Sequence, residues 1–153
     1  MRLVDYLCRE AVCMDLQAAE RDTAIRELLD QLVASGAMPE ALLKNALLAV
    51  LKRERLGSTA IGRGVAVPHA RVDGLGRVVV AFGRSSAGVE FSALDGGPVH
   101  HVFLVVAGRD CASEYLALMQ RVSRLVQNDD FRRFVKQARQ AGDLVDLIAE
   151  MDT

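Results

Sequence analysis

Gly57-Ser-Thr-Ala-Ile-Gly62-Arg-Gly64-Val-Ala-Val-Pro-His69-Ala-Arg71 gathers three glycines, two hydroxyls and flanking arginines around one imidazole. That set of residue types suits a histidine that meets a phosphoryl group. Such a histidine must be accessible, neutral and fixed in tautomer, so that one ring nitrogen presents its lone pair while the other donates to a carbonyl or carboxylate. Pro68 fixes its own φ and pushes Val67 into extended backbone. His69 is therefore expected to leave the end of a strand into a turn.

Phosphoryl transfer leaves a protein little covalent work, so positioning and charge stabilisation dominate. Arg53 offers a forked cation where a lysine would offer a point charge. Backbone N–H groups from Gly57 to Gly64 and the hydroxyls of Ser58 and Thr59 are candidate further donors. Nearby cations also favour the neutral imidazole. The segment lacks the Gly-Lys-Ser/Thr ending of a P-loop, and no convincing strand precedes it as a dinucleotide fingerprint requires.

The elements that must position these residues follow from apolar spacing. Ala24, Ile25, Leu28, Leu29, Leu32 and Val33 form one helical stripe over 23–35, with Asp22 as cap and Gly36 as stop. Pro39 suits the first turn of a second helix reaching about Arg53 through Leu42, Leu43, Ala46, Leu47 and Val50. Strands are predicted over 65–67 and 78–82. The run 102–107 is apolar on both faces, which marks a buried central strand. Helical spacing returns over 113–127, again around Phe131 to Ala138, and from Leu144 to Ile148. Helices, then strands, then helices around one core give an α/β or α+β sandwich, a single domain with a mixed sheet flanked by helices.

The chain has 153 residues, 51% hydrophobic and 25% charged, which suits one soluble domain spanning 1–153. Nineteen basic against twenty acidic residues leave a net charge of -1, no basis for non-specific nucleic-acid binding. Cys8, Cys13 and Cys111 are odd in number and lack CxxC spacing, so free thiols in a reducing cytosol are expected rather than a disulfide framework or a zinc knuckle. The first ten residues have no apolar h-region and no stretch approaches ~20 uninterrupted apolar residues, so neither secretion nor a membrane span is expected and a cytoplasmic location is. No cluster has recognisable metal-ligand spacing, and no cofactor is implied.

Arg53-Glu54, Leu56-Gly-Ser-Thr-Ala-Ile-Gly62 and Gly64-Val-Ala-Val-Pro-His69-Ala-Arg71 resemble the signature of fructose/mannitol-type enzyme IIA domains of the bacterial phosphoenolpyruvate-dependent phosphotransferase system. The match is closest to the stand-alone nitrogen-regulatory branch. The resemblance implies that His69 accepts a phosphoryl group from an HPr-like carrier and that Arg53, followed by Glu54, lies against it. It also implies an α/β sandwich. Family members usually carry a second active-site histidine in a His-Leu pair, where this chain has Tyr115-Leu116. A tyrosine hydroxyl donates one hydrogen bond but does not become a cation near pH 7. Stabilisation then falls on Arg53, with Arg63 and Arg71 as further candidates.

Plainer readings stand beside these. Tyr115 shares a stripe with Leu118, Met119 and Val122, so core and site are equally open. Glu54 suits a local ion pair at a helix end, and Ser58 and Thr59 suit turn bonds to their own backbone. Arg63 and Arg71 suit solvated turns. His100 and His101 are expected as an edge or surface pair beginning a strand, pointing to opposite faces. Arg124, Arg132, Arg133, Lys136 and Arg139 read as a solvated helix face. Functionally, the resemblance favours a cytosolic phosphocarrier whose phosphorylation state regulates partner proteins, rather than a free-standing turnover enzyme. The alternatives are a sugar-uptake component that passes the phosphoryl group to a IIB partner, and a non-phosphorylated interaction module. A homodimer is compatible with a chain of this size.

Overall fold

The computed structural model describes residues 1–152. Its centre is the apolar run read from the sequence, within a strand that extends from Val99 to Gly108. Five further strands pair with it or with each other. In chain order they are β1 (Leu7–Cys13), β2 (Ala60–Gly62), β3 (Val65–Ala66), β4 (His69–Val72) and β5 (Val78–Val89), the central strand being β6. The spatial order is β1-β5-β6-β3-β2, with β4 pairing β6 beyond β3. β5 and β2 run antiparallel to their neighbours β6 and β3, whereas β1, β3 and β4 pair in parallel, so the sheet is mixed.

Successive residues of β6 point to opposite faces and bury both. Val102, Leu104 and Val106 join the core beneath α1 (Arg21–Ala34) and α2 (Leu43–Leu56). Phe103, Val105 and Ala107 join the core beneath α3 (Ala112–Gln127), α4 (Asp129–Val135) and α5 (Ala141–Met151). The two helical layers make the predicted sandwich. Among the described residues, no helix is long and apolar enough to cross a membrane. The three cysteines are free and half-buried.

α1 buries five of the six predicted positions completely, Ala24, Ile25, Leu28, Leu29 and Leu32, and the sixth, Val33, in part. It stops where Gly36 turns to φ +79° and donates to the Val33 carbonyl. Its N-cap is Glu20 rather than Asp22, which lies inside the first turn, where a negative charge complements the helix dipole. Pro39 does not start α2. It precedes a separate 3₁₀ turn, Glu40–Leu42.

Two expectations about histidines also need correction. His69 does not leave a strand; it opens β4, in register with Val105 of β6. Pro68 interrupts β3 and β4 because it has no N–H, yet its carbonyl accepts from Val105 N at 3.0 Å and continues the ladder. Nor are His100 and His101 at a sheet edge. They lie on the central strand, where His101 is 3% exposed and stacks on Phe82 at 6.2 Å between ring centroids. Of the expected basic helix face, Arg124, Arg133, Lys136 and Arg139 are exposed. Arg132 instead turns inward to the Val126 carbonyl.

Candidate functional site

β4 carries His69 on the face that packs toward α3, as its register with Val105 requires. The ring is half-buried. Its Nδ1 lies 2.7 Å from the Val67 carbonyl oxygen. A carbonyl only accepts, so Nδ1 carries the proton and the lone pair of the neutral ring sits on Nε2. Burial holds the imidazole below its ordinary pKa. The Val67 bond opposes that shift, the Arg53 charge reinforces it and Glu54 opposes it again. The ring is thereby kept neutral and nucleophilic at pH 7.

Arg53 comes from the last turn of α2, where a cation suits the helix dipole. Its Nη1 donates to the Gly57 carbonyl at 2.8 Å, which ties the guanidinium to the glycine segment with one of its five N–H groups. A cavity of about 220 Å³ lies between Arg53, Ile61 and His69 on one side and Met119 and Ser123 of α3 on the other.

Glu54 is 2% exposed and forms no ion pair among the described residues. Its carboxylate accepts from Thr59 N at 3.2 and 3.3 Å and from the Thr59 hydroxyl. These bonds fasten the end of α2 to the loop entering β2. They also spend the Thr59 hydroxyl proton. Ser58 Oγ donates to the Phe91 carbonyl at 3.2 Å and accepts from Ala60 N. The N–H groups of Gly57, Thr59, Ala60 and Arg63 are bonded to protein acceptors as well. The glycine segment therefore works as a brace in this arrangement, and the donors expected from it are largely committed.

Arg63 and Arg71 part company. Arg63 sits at φ +60° in the β2–β3 turn, donates its N–H to Asp95 Oδ2 at 3.1 Å and lines a different cleft from His69. Arg71 is two residues beyond His69 on β4 and so shares its face. It lies near Tyr115: burial raises the pKa of that phenol, while the charges of Arg71 and Arg53 pull it down. The Tyr115 ring stands 6.2 Å from the His69 ring, tilted by 49°. It also packs against the core below α3. Tyr115 thus packs on the core and also stands beside the His69 ring.

Ile61, Met119, Ser123 and the Val67 carbonyl were missed by the sequence reading. The α3 residues had a signal, since 115, 119 and 123 recur every four residues and share a helix face with Tyr115. Ile61 and the Val67 carbonyl had none, because their placement depends on strand pairing.

Known proteins resemble this chain in sequence and fold. The chain is 29% identical over 152 residues to the PTS system fructose-specific EIIABC component of Bacillus subtilis, covering 99% of this chain and 24% of that protein. It is 29% identical over 149 residues to a nitrogen regulatory protein of Bradyrhizobium diazoefficiens, covering 97% and 95%. The fold superimposes on nitrogen regulatory protein IIA-Ntr from Neisseria meningitidis with a TM-score of 0.85, at 23% identity over 95% of this chain and 98% of that one. Residues 5–151 match the family described as phosphoenolpyruvate-dependent sugar phosphotransferase system, EIIA 2. With the match running almost end to end, the chain belongs to the EIIA type-2 family of the phosphotransferase system.

Proposed function

We infer that His69 Nε2 is the phosphoryl acceptor of this phosphocarrier, charged by the phosphohistidine of an HPr-like protein. The Nε2 lone pair forms the new N–P bond as the donor N–P bond breaks, and that bonding pair returns to the donor imidazole. The phosphorylated ring gains positive character while keeping its Nδ1 proton, and the Val67 carbonyl stabilises it there. Arg53 meets the charge on the phosphoryl oxygens with its remaining N–H groups. Arg71 adds a second positive charge on the same face, and Tyr115 closes the site from α3.

The observation that carries this reading is the Nδ1–Val67 hydrogen bond beside Arg53, which presents an aimed, neutral nucleophile next to a forked cation. We assign the downstream role to regulation of partner proteins, by charge added to the surface around His69. The nitrogen regulatory relative, matched over 95% of its length, supports that assignment. The fructose-specific relative supports a second reading, in which a IIB domain receives the phosphoryl group.

The test is intact-mass spectrometry after incubation with phosphoenolpyruvate, enzyme I and HPr. One phosphoryl group is expected on the wild type and none on His69→Ala. No gain with a donor that charges a control IIA protein would leave a non-phosphorylated interaction module. Discharge to an added IIB domain separates the sugar-uptake reading from the regulatory one.

A further inference from the structure

A second cleft opens where the β2–β3 turn, the first residues of β6 and α4 meet. Its buried floor residue, His101, lies four positions before Val105, the register partner of His69. At the ordinary strand rise this puts the cleft roughly 13 Å along the sheet from the phosphoryl site. It encloses about 690 Å³ and joins a hollow of about 370 Å³ through His100, His101 and Lys136.

Charge is uneven here. Arg63, Arg84, Arg132, Arg133 and Lys136 line the joined clefts against two carboxylates, Asp95 and Asp129, on a chain with a net charge of -1. Arg84 spends Nη1 on the Val135 and Ala138 carbonyls at 3.2 and 2.5 Å and pairs with no carboxylate among the described residues. Lys136 has no ion-pair partner among the described residues. Asp129 is divided between Arg132 and Arg63, the latter at 3.7 Å, and Arg133 pairs with Asp130 at 2.8 Å through Nη2, which leaves its other N–H groups for a ligand. Burial first, and then the charges of His100, Lys136 and Arg84, push the His101 pKa down to about 4.

We propose that this cleft binds a small, phosphate-bearing anion at a site separate from His69. Guanidinium forks from Arg63 and Arg133 and the Lys136 ammonium supply the recognition chemistry. Size follows from the rim: Asp95 and Asp129 would repel an extended polyanion, and among the described residues no phenyl, phenol or indole ring lines the cleft as a base-stacking platform. The site also has a route to the phosphoryl acceptor. Gly64, next to Arg63, accepts the N–H groups of both His100 and His101 through its carbonyl. The chain then runs through β3 directly to Val67, whose carbonyl orients His69. An anion that holds Arg63 restrains the turn leading into that segment.

The experiment follows the side-chain NMR signals of His69, His100 and His101 during titration with sodium pyrophosphate and, separately, glycerol 3-phosphate, at constant ionic strength. Saturable shifts of His100 and His101, larger than any at His69, are expected from at least one probe. The tighter probe distinguishes an inorganic diphosphate from a phosphate monoester as the source. Lys136→Gln and Arg133→Gln should each weaken binding about fivefold, the size of one partly exposed charge interaction, with the circular dichroism spectrum unchanged. Shifts that never saturate, that centre on His69, or that persist unchanged in both variants would overturn the proposal.

Discussion

His69 Nδ1 donates to the carbonyl of Val67, two residues earlier, across 2.7 Å. The bond spans Pro68, whose fixed φ limits how far the two residues can separate. It chooses the nucleophilic nitrogen, because the proton held at Nδ1 leaves the lone pair at Nε2. Phosphorylated protein is expected to carry its phosphorus on Nε2, read from long-range nitrogen–proton correlations of the ring. Phosphorus on Nδ1 would mean that the Val67 bond breaks before transfer.

Arg53 affects His69 in two separable ways. Its charge lowers the imidazole pKa, behind the larger effect of burial, and its fork meets the phosphoryl oxygens. Arg53→Ala should raise the His69 pKa toward the ordinary value and slow phosphorylation by about 10²-fold, the usual loss for one transition-state donor. In the wild type, phosphorylation should fall on acidification as the neutral ring is lost, at a lower pH than an ordinary histidine would require, because the His69 pKa is lowered by burial first. An NMR titration beside a pH–rate profile checks both effects. An unchanged pKa in the variant would remove Arg53 from the electrostatics of the site.

Thr59→Val separates the brace from the chemistry. The Thr59 hydroxyl donates to a carboxylate that is 2% exposed, so its loss leaves a buried charge short of one donor. A cost of about 1.5–3 kcal/mol in urea denaturation is expected, the range for hydrogen bonds to charged groups. A loss below about 0.5 kcal/mol, within surface-substitution scatter, would show that Glu54 is served by solvent instead.

Tyr115 gives the site a neutral neighbour, since burial outweighs the two arginines and raises its pKa. Tyr115→Phe should keep the ring contact and change the phosphorylation rate little. Tyr115→His introduces a group that titrates near neutrality, so the lifetime of phosphorylated His69 should become pH-dependent between about pH 5.5 and 7.5. Hydrolysis of the purified phosphoprotein at a series of pH values tests this. Matching lifetime profiles in wild type and Tyr115→His would place residue 115 in the core alone.

The layered fold was legible because its signals are local. The α1 stripe and the doubly buried run in β6 each report their burial through spacing alone. β1, β2 and β4 were not legible. β1 has Arg9 and Glu10 in its middle, β2 is three residues within a glycine-rich stretch, and β4 is defined by its pairing with β6 rather than by its own pattern. Missing β4 misplaced His69 at the end of a strand. The site shows the same division: His69 and Arg53 could be named from residue type and motif. The commitment of Ser58 and Thr59, and the departure of Arg63 toward Asp95, depend on contacts across 5 to 33 positions.

His101 makes stability depend on acid. The folded protein holds its pKa near 4, through burial first and then the positive surroundings of His100, Lys136 and Arg84, whereas an unfolded histidine titrates near 6.5. Between those values the unfolded chain binds a proton that the folded chain refuses, so stability rises with pH in that window. The contribution is fully present above about pH 6.5, is lost progressively toward pH 4 and changes no further below it. Its ceiling is about 3 kcal/mol for a shift of this size. His101→Phe preserves a flat ring against Phe82 and removes the titration, so denaturation midpoints at pH 7 and pH 4.5 should differ less in the variant than in the wild type. The comparison uses the slope between the two pH values, which is insensitive to any pH-independent packing change that the larger ring introduces. Equal slopes would mean that the buried imidazole opens to solvent and takes up its proton without unfolding the strand.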